Sequence, residues 1–287
     1  MATSCSFVNG LRILFSVLGC LMLGTLIYTL STDGLPFRKE LLTPWMAATL
    51  VDFYITVVAL GAWIAYKESN WIGAVLWIIL LVCFGSITTC AYILLQLFKL
   101  SSQDSLQDPM CYILLRYQNK DIHEGNGKFS SVVAARILFS ALGCLMLGTL
   151  LYTLLTDGSP FRGELFTPWM TATLVDFYIN VVAISVWVSY KESSWISAFF
   201  WIVLLICFGS ITTCAYIVFQ LFQLSSQDAL YLVLLNSRKR QCLKIKKCLV
   251  CDRSRRNIYA KGTIQSSYCN TMSLSDFKML TTSPVSP

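Results

Sequence analysis

The feature that most constrains this chain is a near-copy of itself. Arg12-Ile13-Leu14-Phe15-Ser16 recurs as Arg136-Ile137-Leu138-Phe139-Ser140. The same spacing then holds as far as Ser101-Ser102-Gln103-Asp104 and Ser225-Ser226-Gln227-Asp228. Roughly three quarters of the paired positions are identical, a fidelity that marks an internal duplication. Whatever one copy folds into, the other must fold into as well.

Composition says what kind of unit was duplicated. Of 287 residues, 56% are hydrophobic and 13% charged, with a mean hydropathy of +0.64. A soluble domain carries about 25% charged residues, so this chain lacks the charge to cover a water-facing surface. Soluble enzymes, disordered chains and small disulfide scaffolds are excluded on that ground. The apolar residues are gathered into blocks of bilayer-crossing length, which predicts an all-α polytopic membrane protein.

Each copy contains three such blocks. They are Leu11–Leu30, Trp45–Tyr66 and Trp71–Leu97, then Ala135–Leu154, Trp169–Tyr190 and Trp195–Leu221. Ile13–Leu30 resembles a signal peptide in position, but its near-copy at Ile137–Leu154 lies mid-chain, so both read as retained helices. Thr43-Pro44-Trp45 and Thr167-Pro168-Trp169 supply a capping hydroxyl followed by Pro in the first turn. Trp45, Trp71, Trp169 and Trp195 open helices where amphipathic rings favour the headgroup level. The third block is long for a bilayer and must tilt or bend, with Gly85-Ser86 and Gly209-Ser210 as the bend points.

The organisation that follows is a three-helix repeat over residues 1–107, a polar linker over 108–133, a second repeat over 134–235, and a basic tail over 236–287. Three crossings per copy with none in the linker predict six transmembrane helices and repeats of opposite orientation, as in many transporters. This creates a conflict over charge. The short loops favour an outside N-terminus, whereas the tail favours termini in the cytosol, and the tail is the larger cluster. Eleven of the 22 Lys and Arg lie between Arg238 and Lys278, against Asp252 and Asp276. Such a tail suits an anionic cytosolic leaflet or a protein partner; no folded basic module points to nucleic acid.

The twelve cysteines do not form a framework. Cys20, Cys83, Cys90, Cys144, Cys207 and Cys214 sit in apolar blocks, where Cys acts as a small buried hydrophobe. Cys242, Cys248 and Cys251 contain one C-x-x-C with no tail His to complete a zinc site; free thiols are expected, with lipidation in this basic setting the alternative. No cofactor or metal is implied. The only histidine, His123, is in the linker, and no nucleophile–base pair is visible, so the chain does not read as an enzyme.

Polar residues inside the apolar blocks are the candidate sites. Asp52 and Asp176 each lie about 10 Å into the second block of their copy. Ionisable groups at that depth are costly and face a bundle interior. Ala48, Thr49, Asp52, Thr56 and Ala59 share one face, repeated by Ala172, Thr173, Asp176, Asn180 and Ala183. Two readings stay open: a proton or cation site, or a carboxylate anchored by hydroxyls or by Arg38 and Arg162. A second stripe, Thr88, Tyr92 and Gln96, is mirrored by Thr212, Tyr216 and Gln220. It lines a path or makes interhelical hydrogen bonds. Ser16, Cys20 and Gly24, with Ser140, Cys144 and Gly148, predict close helix packing.

Three segments, each present twice, carry a family resemblance: Thr-Pro-Trp-Met, Leu-Val-Asp-Phe-Tyr and Cys-Phe-Gly-Ser-Ile-Thr-Thr-Cys. Over residues 11–235 they resemble an uncharacterised plant multi-pass membrane family, domain of unknown function 1475. The resemblance implies membrane residence and supplies no activity. The expected role is therefore non-catalytic, organising membrane or partners, with a small transporter or channel as the alternative.

Overall fold

The computed structural model describes residues 2–35, 42–100, 109–114, 128–159, 162–163, 167–224 and 230–235, all within one compact unit, Met1–Arg240. Among them every regular element is helical. In chain order these are α1 (Ala2–Asp33), α2 (Pro44–Lys67), α3 (Trp71–Phe84), α4 (Ser86–Phe98), α5 (Pro109–Leu114), α6 (Lys128–Asp157), α7 (Pro168–Lys191), α8 (Trp195–Phe208) and α9 (Ser210–Phe222). A 3-10 turn follows at Leu230–Leu234. The tail from 236 onward, with Cys242, Cys248 and Cys251, lies outside the described residues.

The predicted caps form. Thr43 and Thr167 each accept a hydrogen bond from the amide three residues on, Met46 or Met170, at 3.2 Å. Among the described residues, four helices are long and apolar enough to cross a membrane: Ser6–Asp33, Pro44–Lys67, Val132–Asp157 and Pro168–Lys191.

The third block of each copy behaves differently from the expected single crossing. It breaks at Gly85 and Gly209, both at φ 51° in a region open chiefly to glycine. The chain then turns back on itself. Trp77 in α3 and Tyr92 in α4 stack edge-on at 5.1 Å, although fifteen residues separate them, and Trp201 and Tyr216 do the same at 5.0 Å. The Tyr92 hydroxyl reaches Glu68, just before α3 begins. Straight or merely bent helices cannot make these contacts, because fifteen residues of helix span about 22 Å. α3–α4 and α8–α9 are therefore helical hairpins with glycine at the tip.

The two halves also run in the same direction, against the expected opposition. Trp45 and Met46 at the start of α2 share one buried cluster with Trp169 and Met170 at the start of α7. The Trp169 indole donates to the Gly34 carbonyl at the end of α1 (3.2 Å), so that end of the bundle gathers the α1–α2 and α6–α7 connections. At the other end Arg12 meets Leu97 and Arg136 meets Leu221. α2 and α7 pack together, and each half's first helix packs on the other half's second, α1 on α7 and α6 on α2.

Other expectations shift with this geometry. Trp71 and Trp195 are 75% and 89% exposed, as interface anchors would be, whereas Trp45 and Trp169 are buried between the halves. The small-residue stripe Ser16, Cys20 and Gly24 faces outward, as does its copy. Close packing uses the neighbouring glycines instead: a Cβ on Gly19 would stand 3.4 Å from Cys90 and one on Gly143 3.3 Å from Cys214. Cys90 and Cys214 are buried, but Cys20, Cys83, Cys144 and Cys207 are exposed on helix surfaces.

Candidate functional site

The hairpin tips are where the intramembrane acids go. Each α4-type helix starts inside the bundle, where its first amide groups have no carbonyl partner and no water. Asp176 of the second half supplies the acceptor for the first: its Oδ1 takes the Ser86 amide at 2.7 Å and the Ser86 hydroxyl as well. Asp52 returns the arrangement, accepting the Ser210 amide at 2.8 Å. Each carboxylate therefore caps the broken helix of the opposite half. Glycine at the tip makes room for it, since a Cβ on Gly209 would lie 2.5 Å from Asp52 Oδ2, and one on Gly85 would collide with the Asp176 carboxylate.

The same short helices are matched at their other ends. Arg12 Nη2 donates to the Leu97 carbonyl at 2.7 Å, and Arg136 Nη2 to Leu221 and Leu224 at 2.9 and 2.8 Å. The guanidinium groups lie over Phe98 and Phe222, 5.1 and 5.0 Å from the ring centres. A side-chain acceptor thus sits at the N-terminus and a positive group at the C-terminus of α4 and α9. The acceptor satisfies the free amide, and the guanidinium complements the helix dipole, a favourable term of about 0.3–2 kcal/mol for each such charge.

The neighbouring residues of the Asp face do less than expected to build a binding site. Thr56 is fully buried and its hydroxyl donates to the Asp52 carbonyl (3.2 Å); Thr49 donates to the Trp45 carbonyl (2.9 Å). Asn180 is fully buried and accepts from the Thr89 hydroxyl at 2.7 Å, a third bond between the halves. Arg162 does not pair with Asp176. Its guanidinium is on Asp157, 2.6 Å from Oδ1, because both sit at the same exposed connection. Arg38 lies outside the described residues.

The Thr–Tyr–Gln stripe faces its own hairpin partner and the acid at its base. Thr88 donates to Leu80 (2.8 Å) and Thr212 to Leu204 (2.9 Å). Tyr92 donates to Glu68 and Tyr216 to Glu192, each at 2.8 Å. Gln220 adds a long 3.5 Å contact to Glu192, and Gln96 is buried at the matching position. This stripe zips the hairpins shut; it does not join the Asp face in a continuous path. Glu68 and Glu192 were not singled out in the sequence, although a lone acid beside a turn lysine, one helical hairpin away from a buried Tyr, was the signal available.

Four crossing-length apolar helices braced around two capped hairpins define an all-helical bundle of membrane-protein character. The chain belongs to the family described as Protein of unknown function (DUF1475), whose family model matches residues 2–121 and again 102–241. No curated protein and no solved structure matches it.

Proposed function

We propose that this is a non-catalytic membrane protein with four crossings and two re-entrant hairpins, which organises lipid and partners at its cytosolic face. The observation that carries the reading is the reciprocal engagement of Asp52 and Asp176 with the opposite hairpin tips. Both intramembrane acids are occupied as fasteners. The arrangement also removes the conflict over loop charge. With two crossings per half, both termini, the linker and the hairpin bases share one side. Of the 22 Lys and Arg, Arg38, Lys39 and Arg162 alone fall on the far side, as the positive-inside rule asks of a cytosolic face. The basic tail then lies beside an anionic leaflet, with about 1 kcal/mol of attraction per Lys or Arg near the surface.

Reporter tags in full-length protein test this directly. Tags within the linker and at the C-terminus are expected on the cytosolic side, and a tag between Pro36 and Leu41 on the other. Linker and C-terminus on opposite sides would overturn the topology. For the role, deletion after Asn236 is expected to abolish localisation and partner recovery; retention of both would refute it.

A second reading rests on the helix breaks themselves. Half-helix N-termini buried at membrane depth are what transporters use to hold ions and substrates. Proton or cation flux in vesicles that disappears in a folded Asp52→Asn/Asp176→Asn variant would favour this reading over the first.

A further inference from the structure

The two guanidinium groups that brace the hairpin bases do not use all their donors. In Arg12 and Arg136 alike the Nε–H is sealed inside the protein, out of any ligand's reach. Nη2 is engaged by the carbonyls at the ends of α4 and α9. Only Nη1 is left for the outside, and here the halves differ. Arg12 Nη1 donates to Asn9 Oδ1 at 3.3 Å. The position matching Asn9 is Val133, whose side chain accepts nothing. Arg136 Nη1 is neither bonded nor sealed in, so its hydrogens stay open.

The surroundings leave that charge uncompensated. Among the described residues no carboxylate pairs with either guanidinium. Arg136 lies 5.0 Å from the centre of the Phe222 ring, and Phe222 is exposed, as is Phe98 below Arg12. Both pairs stand at the hairpin bases, where exposed Trp71 and Trp195 open α3 and α8 at headgroup level. The abundant anion at that level is a lipid phosphate, and guanidinium donors match phosphate oxygens. A fixed cation above an exposed ring thus meets the phosphate and the start of an acyl chain together.

We propose that Arg136 Nη1 seats the phosphate of an anionic phospholipid, whose acyl chain begins against Phe222. Arg12 and Phe98 form a weaker copy of the seat, because Asn9 occupies the outward donor. A headgroup with its own cation, such as choline, brings a like charge beside Arg136 and is disfavoured. The seat deepens the lipid-organising reading above and rests on its re-entrant hairpins, which put both bases at headgroup level. It lies apart from the basic tail and is independent of which face is cytosolic.

The test uses full-length protein in phosphatidylcholine vesicles containing a phosphatidylglycerol with a diazirine at the start of one acyl chain. Irradiation is expected to label peptides carrying Arg136 and Phe222, and excess unlabelled phosphatidylglycerol should displace that label. Excess diacylglycerol, which lacks the phosphate, should not. Val133→Asn supplies the acceptor that the other half has and leaves the Nη2 bonds in place. It should lower the displaceable label about tenfold, equal to about 1.4 kcal/mol of binding. Asn9→Val should raise the label on peptides carrying Arg12 and Phe98 by a similar factor. Neither variant removes a helix cap, so the changes report the lipid and not the fold. Displaceable label unchanged in both variants would overturn the seat, as would displacement by diacylglycerol. Displacement by inorganic phosphate alone would also overturn it, marking a site for the free anion. Peptides carrying Trp71 and Trp195 check the level and should take label that is not displaced. If they are labelled and those of Arg136 are not, the seat fails and the hairpin reading stands; if neither is labelled, both fail.

Discussion

The hairpin tips of the two halves are built from the same residues yet are held unequally. At the first, Asp176 accepts both the amide and the hydroxyl of Ser86, and Thr89 adds a bond to Asn180. At the second, Asp52 accepts the Ser210 amide and also engages the Ser210 hydroxyl, which is less well aligned than its counterpart. Thr213 turns to its own helix, donating to Gly209 at 3.3 Å, because the position facing it is Thr56 and not Asn. One difference between the copies, Thr56 against Asn180, gives the first tip a bond to the opposite half that the second lacks. The duplication preserved the fastener and left its strength free to diverge.

The largest effect is expected where the halves do not differ. Gly85→Ala and Gly209→Ala each force a side chain into a left-handed backbone and onto a carboxylate. Each should cost about 3 kcal/mol or more in unfolding free energy in detergent, combining backbone strain with overpacking. A mild loss for either would mean that the tip is not closed by the opposite acid.

Next come the acids, where the comparison itself is at risk. Asp176→Ala removes the acceptor of a buried amide and of a well-bonded buried hydroxyl, whereas Asp52→Ala removes that of a buried amide and of a hydroxyl it engages less closely. Losing such a cap costs about 1–2 kcal/mol, and Asp176→Ala should cost about 1 kcal/mol more than Asp52→Ala. Denaturant titration of the two variants measures the gap; equal losses, or the reverse order, would break the asymmetry.

How much of this was written in the sequence can be judged at particular residues. Thr43 and Thr167 act locally, on an amide three residues away, and were legible as caps. Gly85-Ser86 and Gly209-Ser210 were legible as bends, but not as breaks or reversals. A run of apolar residues looks alike whether it crosses or returns, and the reversal depends on Tyr92 meeting Trp77 and Glu68. Two hints were present: a third block about 40 Å long if straight, too long for one crossing, and a charge distribution that no inverted arrangement satisfied. The depth of Asp52 and Asp176 marked them as interior groups, yet their partners lie in the other half, beyond any local pattern. The outward turn of Ser16, Cys20 and Gly24 was hidden for a related reason. Small residues on a lipid-facing surface and small residues in a helix contact have the same spacing, and Gly19 against Cys90 decides which face is used.

The smallest effect isolates the divergent pair. In a double-mutant cycle, Thr89→Val and Asn180→Ala should show a coupling of about 1 kcal/mol, because they remove the two ends of one buried hydrogen bond. The equivalent cycle, Thr213→Val with Thr56→Ala, should show a coupling near zero, since each hydroxyl serves its own helix. The single losses are a poorer guide. Asn180→Ala also removes an amide nitrogen that is buried without a partner, and that relief offsets part of the lost bond. Introducing Thr56→Asn gives the second tip the side chain that serves the first. If it produces coupling to Thr213, the unequal hold follows from that one side chain; if it does not, the backbones of the halves differ at the tips, and the divergence lies deeper than position 56.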